Sequence, residues 1–554
     1  MTQTVRALIV TDASGGFLDN TAGGASARFH LGEFVSVLQA TAWEGFALQI
    51  TKAHRGQWNG PGAVPVTAAG IGADLIDFDF STHDLSAYDM ILMFAIVSDG
   101  QQLIRTGNVL APGDASTAEL AAITAFMQNG GGVFATGDHE DLGAGLCREI
   151  PRVRNMRRWY FGNVPVGHNA APNGGDATRL DTLRSGHDAG FQFDDQSDNV
   201  AQEIIPAIHW SRWGRYVRQG YPHPLLCSPA GIVRHLPDHP HEGRCEVPPR
   251  LDETVQGIEE YPADASGARL APEVVADATV IGGHTTDTKP AVDAARFGVI
   301  GAWDGHRVDP GRVVVDATWH HFFNINLSGD LGSPTAAKRA GFHAPLAAGQ
   351  ADHYEPIKAY FRNIVYWLVP KQRLVYTLRA AIWEAVYRGP RFEEFPHWRD
   401  GGFRRPFDWK LIWEVAQLTK AYFDHARGGC YAWQLLPIVL EPLPRWRRWW
   451  EALAPWLDPW HPIGPKQLAA LRSGDPRMAA EAAILVDAVL GAHTLAAIEA
   501  AGLVGAGDEE KLHAVMDEAL DRQLNACLVM AAKTMATTRS EMVALRKAFE
   551  GPQG

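Results

Sequence analysis

Eight consecutive apolar residues, Met90 to Val97, stand between Tyr88-Asp89 and Ser98-Asp99-Gly100. A run this short, closed at both ends by turn formers, reads as a strand buried on both faces. Such a strand belongs in the middle of a sheet that is covered on two sides. The neighbouring segments supply both the sheet and its cover. Val5–Thr11, Phe46–Ile50, Leu75–Phe80 and Val133–Thr136 are further strand candidates. Between them, Ala27–Ala42 carries Phe29, Phe34, Val37 and Leu38 at helical spacing, and Ser116–Gln128 does the same with Leu120, Ile123 and Phe126. Strands alternating with helices predict right-handed crossovers and a parallel sheet.

The alternation then stops. Residues from about 146 to 275 are rich in Pro, Gly, Asp, His and Arg and carry little periodicity, which predicts a long insertion. Its aromatics, among them Trp159, Phe191, Trp210 and Trp213, favour an ordered one. Strand patterns resume at Thr279–Gly283, Phe297–Ala302 and Arg312–Asp316, and a helix over Tyr354–Leu368 ends before Pro370. Beyond 371 only helical spacing remains, at Leu374–Tyr387, Trp409–His425, Pro476–Ala501 and Glu509–Phe549. The expected fold is therefore α/β over 1–370, a doubly wound and mostly parallel sheet, followed by an all-α domain over 371–554 or two small ones split near Pro462–Pro465. No internal repeat interrupts this plan.

Several classes are excluded by composition. Fifty Lys and Arg against 63 Asp and Glu give a net charge of −13, so there is no basic footprint for nucleic acid. The most apolar stretch, Ala482–Gly507, is broken by Asp487, His493 and Glu499, so no membrane span is expected. Five scattered Cys predict no disulfide framework and a reducing compartment. With no signal-like segment before the first strand, the expected location is cytoplasmic.

In an open parallel sheet, ligands bind beyond the carboxyl ends of the strands. Three polar clusters occupy such places or the insertion: Asp138-His139-Glu140-Asp141 after Val133–Thr136, Asp238-His239-Pro240-His241-Glu242, and Asp316 to Asn326 with His320 and His321. Carboxylates and imidazoles suit a divalent Zn, Mn or Fe ion, with Asp138, His139, His239 and His241 as ligands. They also suit metal-free acid–base catalysis by Asp138, His139, Glu140, Glu242 and His320. The third possibility is plain structure, with the Asp residues capping a helix and the His residues filling polar packing positions. Asp12, Arg154, His284, Asp287 and His321 are the candidates for holding a small polar substrate; Arg154 belongs to the basic run Arg152–Arg158, suited to clamping an anion, although pairing with the protein's own carboxylates is the commoner fate of such a run.

A strand, a Gly-x-x turn, and a late strand delivering a His resemble the class I glutamine amidotransferase-like superfamily, and within it the ThuA-like (trehalose utilisation) branch. The resemblance covers roughly residues 5 to 370 without the insertion. It implies a flavodoxin-like sheet and, through the ThuA branch, a carbohydrate-like substrate. In the amidotransferases a Cys stands at the sharp turn and the late His activates it. Here Asp138 stands at the turn, His320 matches the late His, and Cys147 lies nine residues farther on, so glutaminase activity is not expected. The favoured function is a hydrolase-type reaction on a small polar molecule. The rival is a non-catalytic ligand-binding or assembly protein, in which the helical domain meets a partner or a second copy.

Four lesser motifs have a bland and a sharp reading each. Cys227, His235, His239, His241 and Cys245 fall within nineteen residues and suggest a zinc knuckle, but no C-x₂-C pair is present and a loop of unrelated Cys is the favoured reading. Asp194–Asp198 reads as a solvated turn rather than a calcium loop. The Gly15–Gly24 loop reads as a plain loop before a phosphate cradle. Ten of the 18 Trp fall between Trp383 and Trp460, and the segment 445–460 reads as core or domain interface before partner or membrane surface.

Overall fold

The computed structural model describes residues 3–12, 15–55, 67–96, 117–137, 143–159, 201–210, 220–237, 243–264, 267–280, 294–388, 408–430, 477–503 and 509–550, with 434, 438, 447, 454 and 458–461. An eight-stranded sheet is its centre. In chain order its strands are β1 (Gln3–Thr11), β2 (Phe46–His54), β3 (Met90–Phe94), β4 (Gly132–Thr136), β5 (Ile205–Pro206), β6 (Glu273–Val280), β7 (Ala295–Trp303) and β8 (Val313–Asp316). In space they run β2-β1-β3-β4-β8-β7-β6-β5. The first five in that order are parallel. The pairings β8/β7, β7/β6 and β6/β5 are antiparallel, so the resumed strand patterns build an antiparallel margin on a parallel centre.

Every residue of β3, β4 and β8 is buried, as runs covered on both faces must be. On one face lie α1 (Gly32–Ala40) and α3 (Tyr354–Leu368), which contribute Phe34, Leu38, Ile357, Phe361, Ile364 and Val365 to the core. On the other face lies α2 (Thr117–Gln128), with Leu120, Ile123 and Met127. Each such side chain removed from water contributes about 1.5–3 kcal/mol. The segment Leu75–Phe80 departs from the expected strand. Asp77 takes a left-handed φ of 51°, only Leu75 forms a bridge, and Phe78 and Phe80 are anchored as buried plugs.

The described parts of the insertion are short two-stranded ribbons, such as Ala201–Glu203 with His235–Pro237 and Ile208–Trp210 with Gly220–Pro222. Trp159, Tyr221 and Tyr261 are buried, in keeping with an ordered insertion, whereas Trp210 is exposed.

The helical region comprises α4 (Lys371–Arg388), α5 (Trp409–Arg427), α6 (Arg477–Leu503) and α7 (Glu509–Glu550), around its own core of Leu, Ala, Ile and Val. Val486 to Ala500, within the apolar stretch near 482–503, is the buried centre of that core, and no described helix is long and apolar enough to cross a membrane. The helical region is latched onto the sheet domain. Arg373 pairs with Asp89 at 2.5 Å, Arg307 with Asp458 at 2.7 Å, and Trp460 Nε1 donates to Pro222 O at 3.1 Å. The described end of the Trp-rich segment is thus a domain interface. Cys227 and Cys430 form a disulfide across the same seam. That pairing overturns the expectation of no disulfide, because residues 203 apart in sequence meet only after docking. The inference from scarce cysteines to a reducing compartment loses its premise.

Candidate functional site

The residues at the carboxyl ends of the parallel strands form one buried polar layer. Its centre is Asp316, the last residue of β8, set level with Thr136 of β4 and wholly buried. Asp316 Oδ1 accepts from Thr318 N (3.1 Å) and His321 Nδ1 (2.8 Å), and Oδ2 accepts from the Tyr360 hydroxyl of α3 (2.8 Å). A carboxylate can only accept, so Nδ1 of His321 carries the proton in this bond. Burial and Asp316 push the Tyr360 hydroxyl well above its ordinary value, which keeps it a donor. Thr318 Oγ1 caps the next turn by accepting His320 N at 3.2 Å, and His320 Nδ1 is bonded to Asn326 Oδ1 at 2.9 Å. Arg157 holds the exit of β8 through the carbonyls of Asp316 (3.1 Å) and Ala317 (2.7 Å).

The β1 end is stitched to this turn. Asn324 Nδ2 donates to Leu18 O and Ala27 O, both at 2.8 Å, and its Oδ1 accepts Glu33 N at 2.8 Å. His30 Nδ1 accepts Leu18 N at 3.2 Å; burial, aided by His54, lowers its pKa to about 4 and keeps the ring neutral. Gly15 and Gly16 are required here, since a Cβ would lie 2.1 Å from Thr11 Oγ1 or 2.6 Å from the His30 ring. Gly15 N, Phe17 N and Leu18 N bond to Asp12 O, Ile71 O and the His30 ring. Those donors are therefore committed within the fold, which supports the plain loop over a phosphate cradle. Asp12 is buried beside this loop. The strand order reverses between β1 and β3, where open sheets of this kind leave a crevice.

Of the expected site residues, Asp138, His139, Glu140, His239, His241, Glu242, His284 and Asp287 lie outside the described residues, as do Asp141 and Asp194–Asp198. The flanks of two clusters can be placed. Gly137 O accepts Trp319 N at 3.1 Å, and Gly143 packs against Gly137. The ribbon strand His235–Pro237 packs against Trp319–His321, and Gly243 lies against Arg157. β6, which precedes His284 and Asp287, runs in the direction of β8 and ends at the same edge.

Arg154 takes the commoner of the two fates expected of it, pairing with the protein's own carboxylates rather than standing open to an anion. It pairs with Glu253 and, at 3.2 Å, with Glu260, and only 13% of its side chain is exposed. Cys147 is buried, and burial pushes its thiol up to about 12, which removes it as a nucleophile. The zinc knuckle fails on both cysteines. Cys227 is in the disulfide, and Cys245 is buried with its thiol donating to Val299 O at 3.3 Å. Among the described residues no group of three or more His, Cys, Asp or Glu is arranged to hold a metal ion. Sequence reasoning missed Asp316 as the partner of His321, although an Asp ending a strand five residues before a His was a visible signal. It also missed Tyr360, for which local sequence offers none.

No protein-family model matches the chain, and no curated protein matches its sequence.

Proposed function

We propose that the carboxyl edge of the sheet is a hydrolytic acid–base site for a small polar, carbohydrate-like substrate. The observation that carries this reading is the buried Asp316–His321 pair at 2.8 Å, beside His320 and the Gly137 carbonyl that accepts Trp319 N. Asp316 and Tyr360 position the His321 ring, whose Nε2 takes a proton from the attacking water. His320, oriented by Asn326, returns a proton to the leaving group. Both imidazoles are buried, and exclusion of bulk water strengthens each charge interaction there. Asp138, His139, His239 and His241 are the ligands for a divalent ion in the metal-assisted form of this reaction, with Glu140 or Glu242 as base. The parallel order β2-β1-β3-β4-β8 is the flavodoxin-like order, which supports the amidotransferase-like, ThuA-like scaffold.

The test is hydrolysis of p-nitrophenyl esters, phosphates and glycosides by the purified protein, with its metal content measured by mass spectrometry. Turnover that falls by about 10²–10⁴ in His321→Gln and Asp316→Asn, both still folded by circular dichroism, supports the proposal. Turnover unchanged in both variants, or absent from the wild type with and without added Zn, Mn or Fe, overturns it. The second result leaves the sheet edge as a binding site.

A further inference from the structure

A cavity of about 640 Å³ lies between α1 and α3, and Ala426 of α5 closes one side. One wall is a regular stripe along α3: Tyr354, Lys358, Arg362 and Tyr366, each four residues from the last and so on one helix face. The opposite wall, from α1, presents the small residues Ser36 and Ala40, which leave room for a ligand against the cations. The volume lies within the range of small-molecule sites.

The charges decide what would enter. Glu33 is matched by His343 at 2.8 Å and accepts from the Tyr354 hydroxyl. Glu44 is matched by Arg427 at 3.1 Å and bonded by Tyr366. Lys358 is matched by Glu355. Arg362 alone among the charged residues lining the cavity has no hydrogen bond or ion pair among the described residues. A partly buried guanidinium left without a partner favours a ligand that brings negative charge, and its planar fork fits the paired oxygens of a carboxylate or phosphate. The apolar flanks Val37, Ala40 and Ala426 suit a ligand with a carbon body.

We infer that this cavity is a second binding site, for a small organic oxyanion, held by Arg362 and Lys358 at the seam between the sheet domain and α5. Because Ala426 precedes Arg427, which grips Glu44, an occupant touches both sides of that seam.

The test is calorimetric titration of the full chain with inorganic phosphate, glucose 6-phosphate and citrate. Glucose and potassium chloride at matched ionic strength are the controls. Saturable binding of phosphate-bearing probes, of citrate, or of both is expected, and the pattern tells which oxyanion is preferred. Arg362→Ala, which breaks no hydrogen bond or ion pair among the described residues, should weaken it about tenfold or more. Ala40→Phe, which fills the cavity from the other wall, should do the same. Any turnover at the sheet edge should survive both substitutions, which separates this site from that one. Failure of every oxyanion to bind, or binding unchanged in both variants, overturns the inference.

Discussion

Arg55 and Glu119 form an ion pair at 2.8 Å with neither side chain exposed, directly beyond the ends of β1 and β2. Glu119 also accepts Phe80 N at 3.1 Å, and the Arg55 guanidinium lies 5.2 Å from the Phe80 ring. Burial pushes the Glu119 carboxyl up despite the pull of Arg55, so desolvation outweighs the attraction. Glu119→Gln keeps an acceptor for Phe80 N but leaves a buried cation without its carboxylate. That loss costs about 3–5 kcal/mol. Adding Arg55→Met removes the stranded charge. What remains is an unpartnered amide, about 1–3 kcal/mol, and the lost cation–ring contact, about 0.5–2 kcal/mol. The double variant should therefore be no less stable than Glu119→Gln alone, and about 1 kcal/mol of the loss should return at the middle of these ranges. Urea midpoints followed by circular dichroism measure all three variants. If Arg55→Met lowers the midpoint further when added to Glu119→Gln, the reasoning that stranded charge dominates is wrong.

Three other outcomes follow from burial and connectivity. Burial lowers His30, His223 and His493 to about 4, so each is neutral in the folded chain, while the unfolded chain takes up a proton near 6.5. Their stabilisation is therefore whole above pH 6.5 and lost as pH falls towards 4, by up to about 1.4 kcal/mol per pH unit each; a urea midpoint that declines less steeply with acid in His493→Gln checks this. Thiol titration of the unfolded, unreduced protein should count Cys147, Cys245 and Cys527 only, and Cys227→Ser should destabilise by about 5 kcal/mol from the long loop it opens. Cys147 should resist iodoacetamide at pH 8 in the native protein and react after unfolding, because its thiol ionises only near 12.

Much of the site could be read locally. An apolar run ending in Asp316, with His320 and His321 in the next turn, already marks a strand delivering imidazoles to an edge. Its partners could not be read, because they come from elsewhere: Tyr360 lies 44 residues on and Arg157 lies 159 back. The choices left open share that origin. Whether Arg154 clamps an anion or pairs with the protein's own carboxylates is settled only when Glu253 and Glu260 fold beside it, and the fate of Cys227 only when the turn after α5 brings Cys430.

Side-chain periodicity depends only on neighbours a few bonds away, so the chain itself decided which stretches became strands, which became helices, and which face each buries. Strand order, the antiparallel margin, the seam closed by Glu44, Arg427 and the disulfide, and the place of Arg362 in the cavity wall are decided by which surfaces meet. Those choices rest on packing and desolvation summed over the whole assembly, and no short window of sequence contains that sum.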